Sequence, residues 1–519
     1  MHTLITELAE FASQLNAEDI PLSVFKRVRL QHMHIAGLIH HVPTDGPWKS
    51  LRKMSAKRGR AVLVGGGTAP VRSAVQIHAA RIAWTDQADH LLGGVTGIGA
   101  VTAAWAEAKG HSVGDVLVAT VAANEVAGRI GASLLLGSNH GLCAGWVHAV
   151  AAAVAAGKMA KIGPEKMSHA IALALAGAGP LPRSVVAGAG RASAVSLAVA
   201  SGVEAYQQAA AGVRSSLSML EAPGGVLETS CWLPLKHAFT GLGEVWLTET
   251  IAFPRWPGPV VWHSTYDAVN EVLERHIKAA DKRLRADQVD QIVVRVPAPG
   301  IALDQWMERH GLRDSTSLGH AVRHGIGALV VDHSLGAEQL NEVGWEDRRL
   351  AYGKIASKVR IEHDISLTLE LMGHMVDTVA PLIGGVTEGE WKWLAEKVRR
   401  PEVAWPSVSF TDVRNLVQHR PDKWIKTLRY ASRNLSDSRL SEWQVRLGAN
   451  VEVSTTRGGT WPERRNIPVD GPGWSWKSTK NAVLERHPSF ASGGLHQANA
   501  LLSADADDDA NAWLLQLID

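Results

Sequence analysis

The chain has 519 residues, 46% of them hydrophobic, which is enough to bury a large core and to build more than one domain. Its 53 basic and 51 acidic residues leave a net charge of +2, so no global field draws it to nucleic acid or to an anionic membrane. Two cysteines, Cys143 and Cys231, exclude a disulfide framework and fit a reducing, cytoplasmic setting. The opening stretch, MHTLITELAEFASQL, lacks a basic segment followed by an apolar run, so no signal peptide is expected. The most apolar run, Ala149 to Gly157, falls far short of the roughly 20 residues that span a bilayer.

Residues 1–50 read as helices, with Leu4, Leu8, Phe11 and Leu15 at helical spacing and a second segment from Pro21 through Ile35. The run AVLVGGG (61–67) fits a strand or a turn, and 71–92 reads as helix again. From 98 to 215 the chain is almost wholly Ala, Val, Leu and Gly. Segments 98–109, 114–136, 143–161, 164–178 and 191–212 carry helical periodicity, punctuated by Gly110, Gly137, Gly163 and Pro180. Alanine favours helix and lets helices approach closely, so this is the buried bundle of an all-helical domain.

After about residue 245 the character changes. FPRWPGP (253–259) holds three prolines and ends any helix. An amphipathic helix is expected over 264–278, strands over 291–300 and 358–371, a strand pair over 442–456 with the TWPERRNIPVDGP stretch, and helices at 316–331 and 388–400. The fold class is therefore mainly α: a large all-helical domain (1–250), a smaller α+β lid domain (251–486), and a helical C-terminal return (487–519). Nineteen tryptophans stand against six phenylalanines, and all but Trp48, Trp84, Trp105 and Trp146 lie beyond residue 230. They either pack a second domain or, as with Trp256 and Trp262, wall a pocket.

The chain is organised around Ala83 to Gly110. A polar knot of Asp86, Asp89 and His90 precedes a glycine bend and an apolar helix, a setting suited to acid/base chemistry. Gly93, Gly97 and Gly99 match the spacing of a dinucleotide-binding loop. No strand precedes them, and the residues four after Tyr206, Tyr266, Tyr352 and Tyr430 are Ala, Asn, Ala and Asn, not Lys, which argues against that use. His320 and His324 share a helix face without the glutamate of a zinc motif, so a pocket or interface role is favoured over a metal. His140, in the turn GSNHGLCAGW, fits either a general base or a structural turn, and Cys143 reads as core. Arg183, Arg191, Arg255 and Arg323 are lone cations of a kind that can grip carboxylates.

The order of segments resembles the MmgE/PrpD family, which includes 2-methylcitrate dehydratase, cis-aconitate decarboxylase and iminodisuccinate epimerase. The resemblance rests on LAEFASQLNAEDIPLSVFKRVRLQHMHIAGLI, on GAVTAAWAEAKGHSVGDVLVATVAANEVAGRIG with its glutamate-then-arginine ending, on KMAKIGPEKMSHAIALALAGAG and on ASAVSLAVASGVEAYQQAAAGV. HSTYDAVNEVL, STSLGHAVRHGIGALVVD and WEDRRLAYGKIASKVRIEHD extend it into the second half. It implies a homodimer, an active site between a helical domain and a lid, no metal or organic cofactor, and proton abstraction next to a carboxylate of a small-molecule metabolite.

The resemblance also implies losses. Only Asp86 remains of the family's aspartate-rich stretch, and the catalytic His-Pro turn falls on Gly93 and Gly94, with His90 displaced nearby. His140 keeps a family histidine. Arg191 stands where relatives carry a substrate-binding lysine, Pro254 and Pro259 replace a lid lysine and histidine, and His320 replaces a lid tyrosine. The candidate catalytic residues are thus Asp86, Asp89, His90, His140 and His320, and the candidate substrate-binding residues are Arg191, Trp84, Trp256 and His263. The expected activity is a cofactor-independent lyase or isomerase with remodelled catalytic residues. The alternatives are a biosynthetic cyclase or hydrolase acting on a larger hydrophobic substrate, and a non-catalytic relative.

Overall fold

The computed structural model describes residues 2–43, 46–55, 58–136, 144–383, 389, 440–444, 446–469, 471–486 and 495–518. It is mainly α, with small sheets. The N-terminal region runs through α1 (Leu4–Gln14), α2 (Leu22–His41), α3 (Pro47–Met54), a two-residue ribbon of β1 (Ala61–Val62) and β2 (Thr68–Ala69), α4 (Val71–Thr85) and α5 (Gly97–Ala106). It continues with α6 (Val113–Ser133), α7 (Ala144–Met159), α8 (Pro164–Gly177), α9 (Arg183–Val186), α10 (Arg191–Ala210) and α11 (Val226–Ser230). The helix expected over 71–92 stops at Thr85, because Asp86 adopts a left-handed conformation (φ 54°) and caps it.

Helix α7 is the axis of the bundle and packs against α5, α6, α8 and α10. Its Ala/Val/Gly composition is what permits this. A Cβ on Gly202 of α10 would lie 2.0 Å from the Ala149 carbonyl oxygen, and one on Gly99 of α5 would lie 2.4 Å from that of His148. Backbones therefore touch where larger side chains would hold the helices apart.

The second region contains α12 (His263–Ala280), β3 (Val289–Val296), α13 (Ala298–His310), α14 (Val322–Asp332), α15 (Trp345–Ala356), β4 (Val359–His363), α16 (Ile365–Ile383), β5 (Ala449–Thr455) and β6 (Thr460–Arg465). The sheet order is β4-β3-β5-β6, with β3 parallel to β4 and antiparallel to β5, and α12 packs across β5 and β6. The strand expected over 358–371 is corrected: it ends at His363. The Asp364 side chain then accepts hydrogen bonds from the Ser366 N–H and hydroxyl and starts α16. The helix expected at 316–331 begins at Val322, after a tight turn held by Asp314. Nearly all of the segment 388–400 lies outside the described residues, as does residue 487.

Three further helices, α17 (Trp476–Glu485), α18 (Leu495–Leu502) and α19 (Ala510–Ile518), contact α2, and α19 also contacts α6. Among the described residues, no helix is long and apolar enough to cross a membrane.

Candidate active site

A cavity of about 560 Å³ opens where the two regions meet. Its wall is largely apolar. Asp86, His90, His148 and Arg191 reach it from the helical region, and Pro254, Pro259, His320 and Arg446 from the other side. That is the size and polarity of a small-molecule site.

Asp86 is the centre of the polar part. Its position at the left-handed cap of α4 turns its carboxylate away from the helix axis. Oδ2 lies 3.1 Å from Arg191 Nη1 and 2.9 Å from His320 Nε2. Burial alone would raise this carboxyl. Arg191 first, then His320 and His263, outweigh that effect and hold its pKa below the ordinary value.

Three loops are cinched together here. The Gly258 N–H donates to the Asp86 carbonyl at 3.0 Å, and Tyr266 Oη donates to the Gly319 carbonyl at 3.1 Å. A Cβ on Gly319 would come within 2.6 Å of the Pro257 backbone, so His320 is seated by direct backbone contact between its loop and the proline loop.

The histidines are set by burial. His90 is fixed through its backbone, which pairs with Ala252 in both directions. Burial pushes its pKa down to about 3, with a further contribution from His263, and burial takes His148 down to about 4. Both imidazoles are neutral at neutral pH. His90 Nε2, His148 Nδ1 and His320 Nδ1 are buried without a hydrogen bond among the described residues, while Asp86 Oδ2 has Arg191 and His320 Nε2 as its close neighbours. Buried polar atoms are normally satisfied, and three orphan ring nitrogens around one cavity mark the place of a ligand.

Not every expected residue belongs to this group. Asp89 is fully buried and does not line the cavity. Its Oδ2 accepts from Gln31 Nε2 at 2.7 Å, within a network in which Gln31 and Thr96 also bond Asn124. Burial raises its pKa to about 7. Asp89 therefore positions the loop and does not reach a substrate.

Arg191 lines the cavity, but a bidentate grip on a substrate is closed to it. Four of its N–H bonds already go to the carbonyls of Ala83, Trp84, Val186 and Thr316, and Asp86 sits beside a fifth. Trp84 packs edge-on against Trp48, and Trp256 donates to Asp267 and meets Tyr266 edge-on; neither lines the cavity. His263 bonds the Gly258 carbonyl at 3.0 Å and lies behind the wall, its ring 6.4 Å from that of His90. His140 and Cys143 lie outside the described residues.

Of the other lone cations, Arg323 does hold a carboxylate, Asp304, through two bonds, whereas Arg183 and Arg255 cover the rings of Trp306 and Trp256. Sequence reasoning passed over His148 and Arg446. A lone histidine inside the Ala/Val run of α7 was the available signal for the first. The second had none.

The glycine bend is a packing device. A Cβ on Gly93 would lie 1.8 Å from the Gly128 carbonyl oxygen, so no side chain fits there. Gly97 opens α5 against the Asp89 carboxyl, which occupies the place a bound phosphate would need.

The geometry defines a two-region protein with a buried carboxylate–imidazole pair in the cleft between its parts. Residues 6–232 match the model of the MmgE/PrpD N-terminal domain, a match that supports membership of the MmgE/PrpD family. Members of that family are generally lyases or dehydratases. No curated protein matches the chain.

Proposed function

We propose that this protein is a cofactor-independent lyase or isomerase acting on a small carboxylate-bearing metabolite, with its proton transferred in the cavity between the helical domain and a lid. The observation that carries this reading is the Asp86–His320 contact beside three unpartnered buried ring nitrogens, His90 Nε2, His148 Nδ1 and His320 Nδ1. An ionised Asp86 at His320 Nε2 favours the tautomer with its proton on Nε2. The lone pair of His320 Nδ1 is then free to take a proton from the carbon next to a substrate carboxylate. Asp86 stabilises the imidazolium that forms, as an orienting carboxylate does for a base.

Two completions follow. The imidazolium passes its proton to a departing hydroxyl, which leaves as water, or the proton returns to the opposite face from another group. The neutral imidazoles of His90 and His148 offer hydrogen bonds to the oxygens that gain charge. A larger hydrophobic substrate, handled by a cyclase or hydrolase of the same fold, is the second reading, favoured by the apolar wall. A homodimer completes the proposal, with sedimentation velocity as its check.

The test is incubation in D₂O with 2-methylcitrate, cis-aconitate, iminodisuccinate and a cell metabolite extract. Deuterium at a carbon next to a carboxylate supports the reading. Epimerisation, or addition of water across a double bond, that leaves every such carbon unlabelled would sink it.

A further inference from the structure

The cavity has two arginines in its wall and one carboxylate, Asp86. Arg191 and Asp86 sit against each other, so their charges largely cancel. Arg446 is left. It precedes β5, and its Nε donates to Gln444 Oε1 at 2.9 Å. Gln444 is itself held twice: its N–H donates to His374 Nε2 at 3.1 Å, and its side-chain stem lies where a Cβ on Gly473 would approach within 2.7 Å. The guanidinium is thus pinned at Nε, while no carboxylate among the described residues pairs with its two terminal amino groups. Pinning one nitrogen of a planar fork, with the other two meeting no partner among the described residues, presents a two-point donor pre-set for a carboxylate.

The surroundings narrow the ligand. Leu371, Trp443 and Leu447 share the wall with Arg446, and Val260 and Pro299 extend the apolar surface. A second ionised group on the ligand would be desolvated there with neutral imidazoles and no further unpaired cation among the described lining residues to meet it, which costs heavily. We infer that Arg446 anchors the substrate carboxylate, and that the ligand is a monoanion with a sizeable apolar body and not a di- or tricarboxylate. This rests on the proposed function only for the location of the site. It assigns the role that the sequence position of Arg191 had implied to a residue on the other side of the cavity.

Calorimetric titration of the full-length protein with octanoate, octanamide and succinate tests the inference without any turnover, so its outcome is separate from that of the deuterium experiment. Octanoate should bind more tightly than both comparators. Arg446→Gln should weaken octanoate about tenfold or more, as loss of a charge-assisted pair does, with octanamide unchanged. Arg446→Lys should restore part of the loss. Octanoate binding no tighter than octanamide, tighter binding of succinate, no octanoate binding at all, or equal octanoate affinity in Arg446→Gln would each overturn it. Retained octanamide affinity in the variant shows that the cavity is still folded.

Discussion

Glu125 and Arg129 form one buried ion pair; Asp86, Arg191 and His320 form another buried charged cluster. In the first, the ions are 3.5 Å apart on one face of α6. Glu125 accepts from the Leu247 and Thr248 N–H groups and the Thr248 hydroxyl, and Arg129 donates to the carbonyls of Ala238, Thr240, Gly241 and Val245. This pair folds the 238–250 loop against the bundle. In the second cluster Arg191 is fully engaged, and Asp86 and His320 face each other on the wall of a cavity. Burial and opposite charge are common to both. Access separates them: among the described residues, Arg129 also keeps one unpartnered nitrogen, Nε, but away from the cavity, whereas His320 Nδ1 stands unpartnered on its wall.

Substitutions should split along that line. Asp86→Asn and His320→Gln should lower turnover by about 10²–10⁴-fold, the usual worth of a positioned acid/base group, with thermal unfolding little changed in His320→Gln and lowered in Asp86→Asn, which leaves the buried Arg191 without its carboxylate. Arg129→Met should do the reverse. It leaves Glu125 buried without its cation, which costs about 3–5 kcal/mol in denaturant unfolding, while the folded fraction keeps its specific activity. Gly93→Ala should cost about 1–3 kcal/mol by overpacking against Gly128, and a histidine placed there should not restore the family's usual turn.

Smaller effects come from pH. His32, His34, His78 and His90 are lowered to about 3, and His148 and His263 to about 4, in every case with burial as the leading cause. The fold favours their neutral forms. Their contribution is present above the unfolded value near 6.5 and is lost as pH falls toward 3–4, so denaturant midpoints should drop steadily below pH 6.5. Asp89 has the opposite sign. Its value is raised from 3.8 to about 7, so its contribution is present at low pH and lost as pH rises through 7. Asp89→Asn should therefore melt higher than the parent at pH 8.5, with the gap narrowing below pH 7 and closing only near pH 4.

The helical half was legible because its signal is local. Alanine-rich runs broken by Gly110, Gly163 and Pro180 can hardly be anything else, and the alternation of QIVVRV marked β3. The segment after His363 was not legible in the same way. Ile361, Ile365, Leu367 and Leu369 keep strand alternation, and only the capping by Asp364 turns the chain into α16. Within the site, Asp86 and His320 were visible as polar residues in the right segments.

The roles of Asp89 and Arg191 were not visible, because they depend on how many donors the fold has already engaged. Arg191 looks like a free cation in sequence and is surrounded by carbonyls in space. Arg446 has the reverse character: an ordinary surface-type residue in sequence, it donates one bond to Gln444, and its terminal amino groups meet no partner among the described residues.

The most direct test of the central claim is deuterium incorporation at the carbon next to the substrate carboxylate, measured in the epimerisation or hydration direction and compared between the parent protein, Asp86→Asn, His320→Gln and Arg129→Lys. The account predicts incorporation by the parent and by whatever fraction of Arg129→Lys is folded, and loss of about two orders of magnitude or more in the other two. Full incorporation by Asp86→Asn and His320→Gln would contradict it.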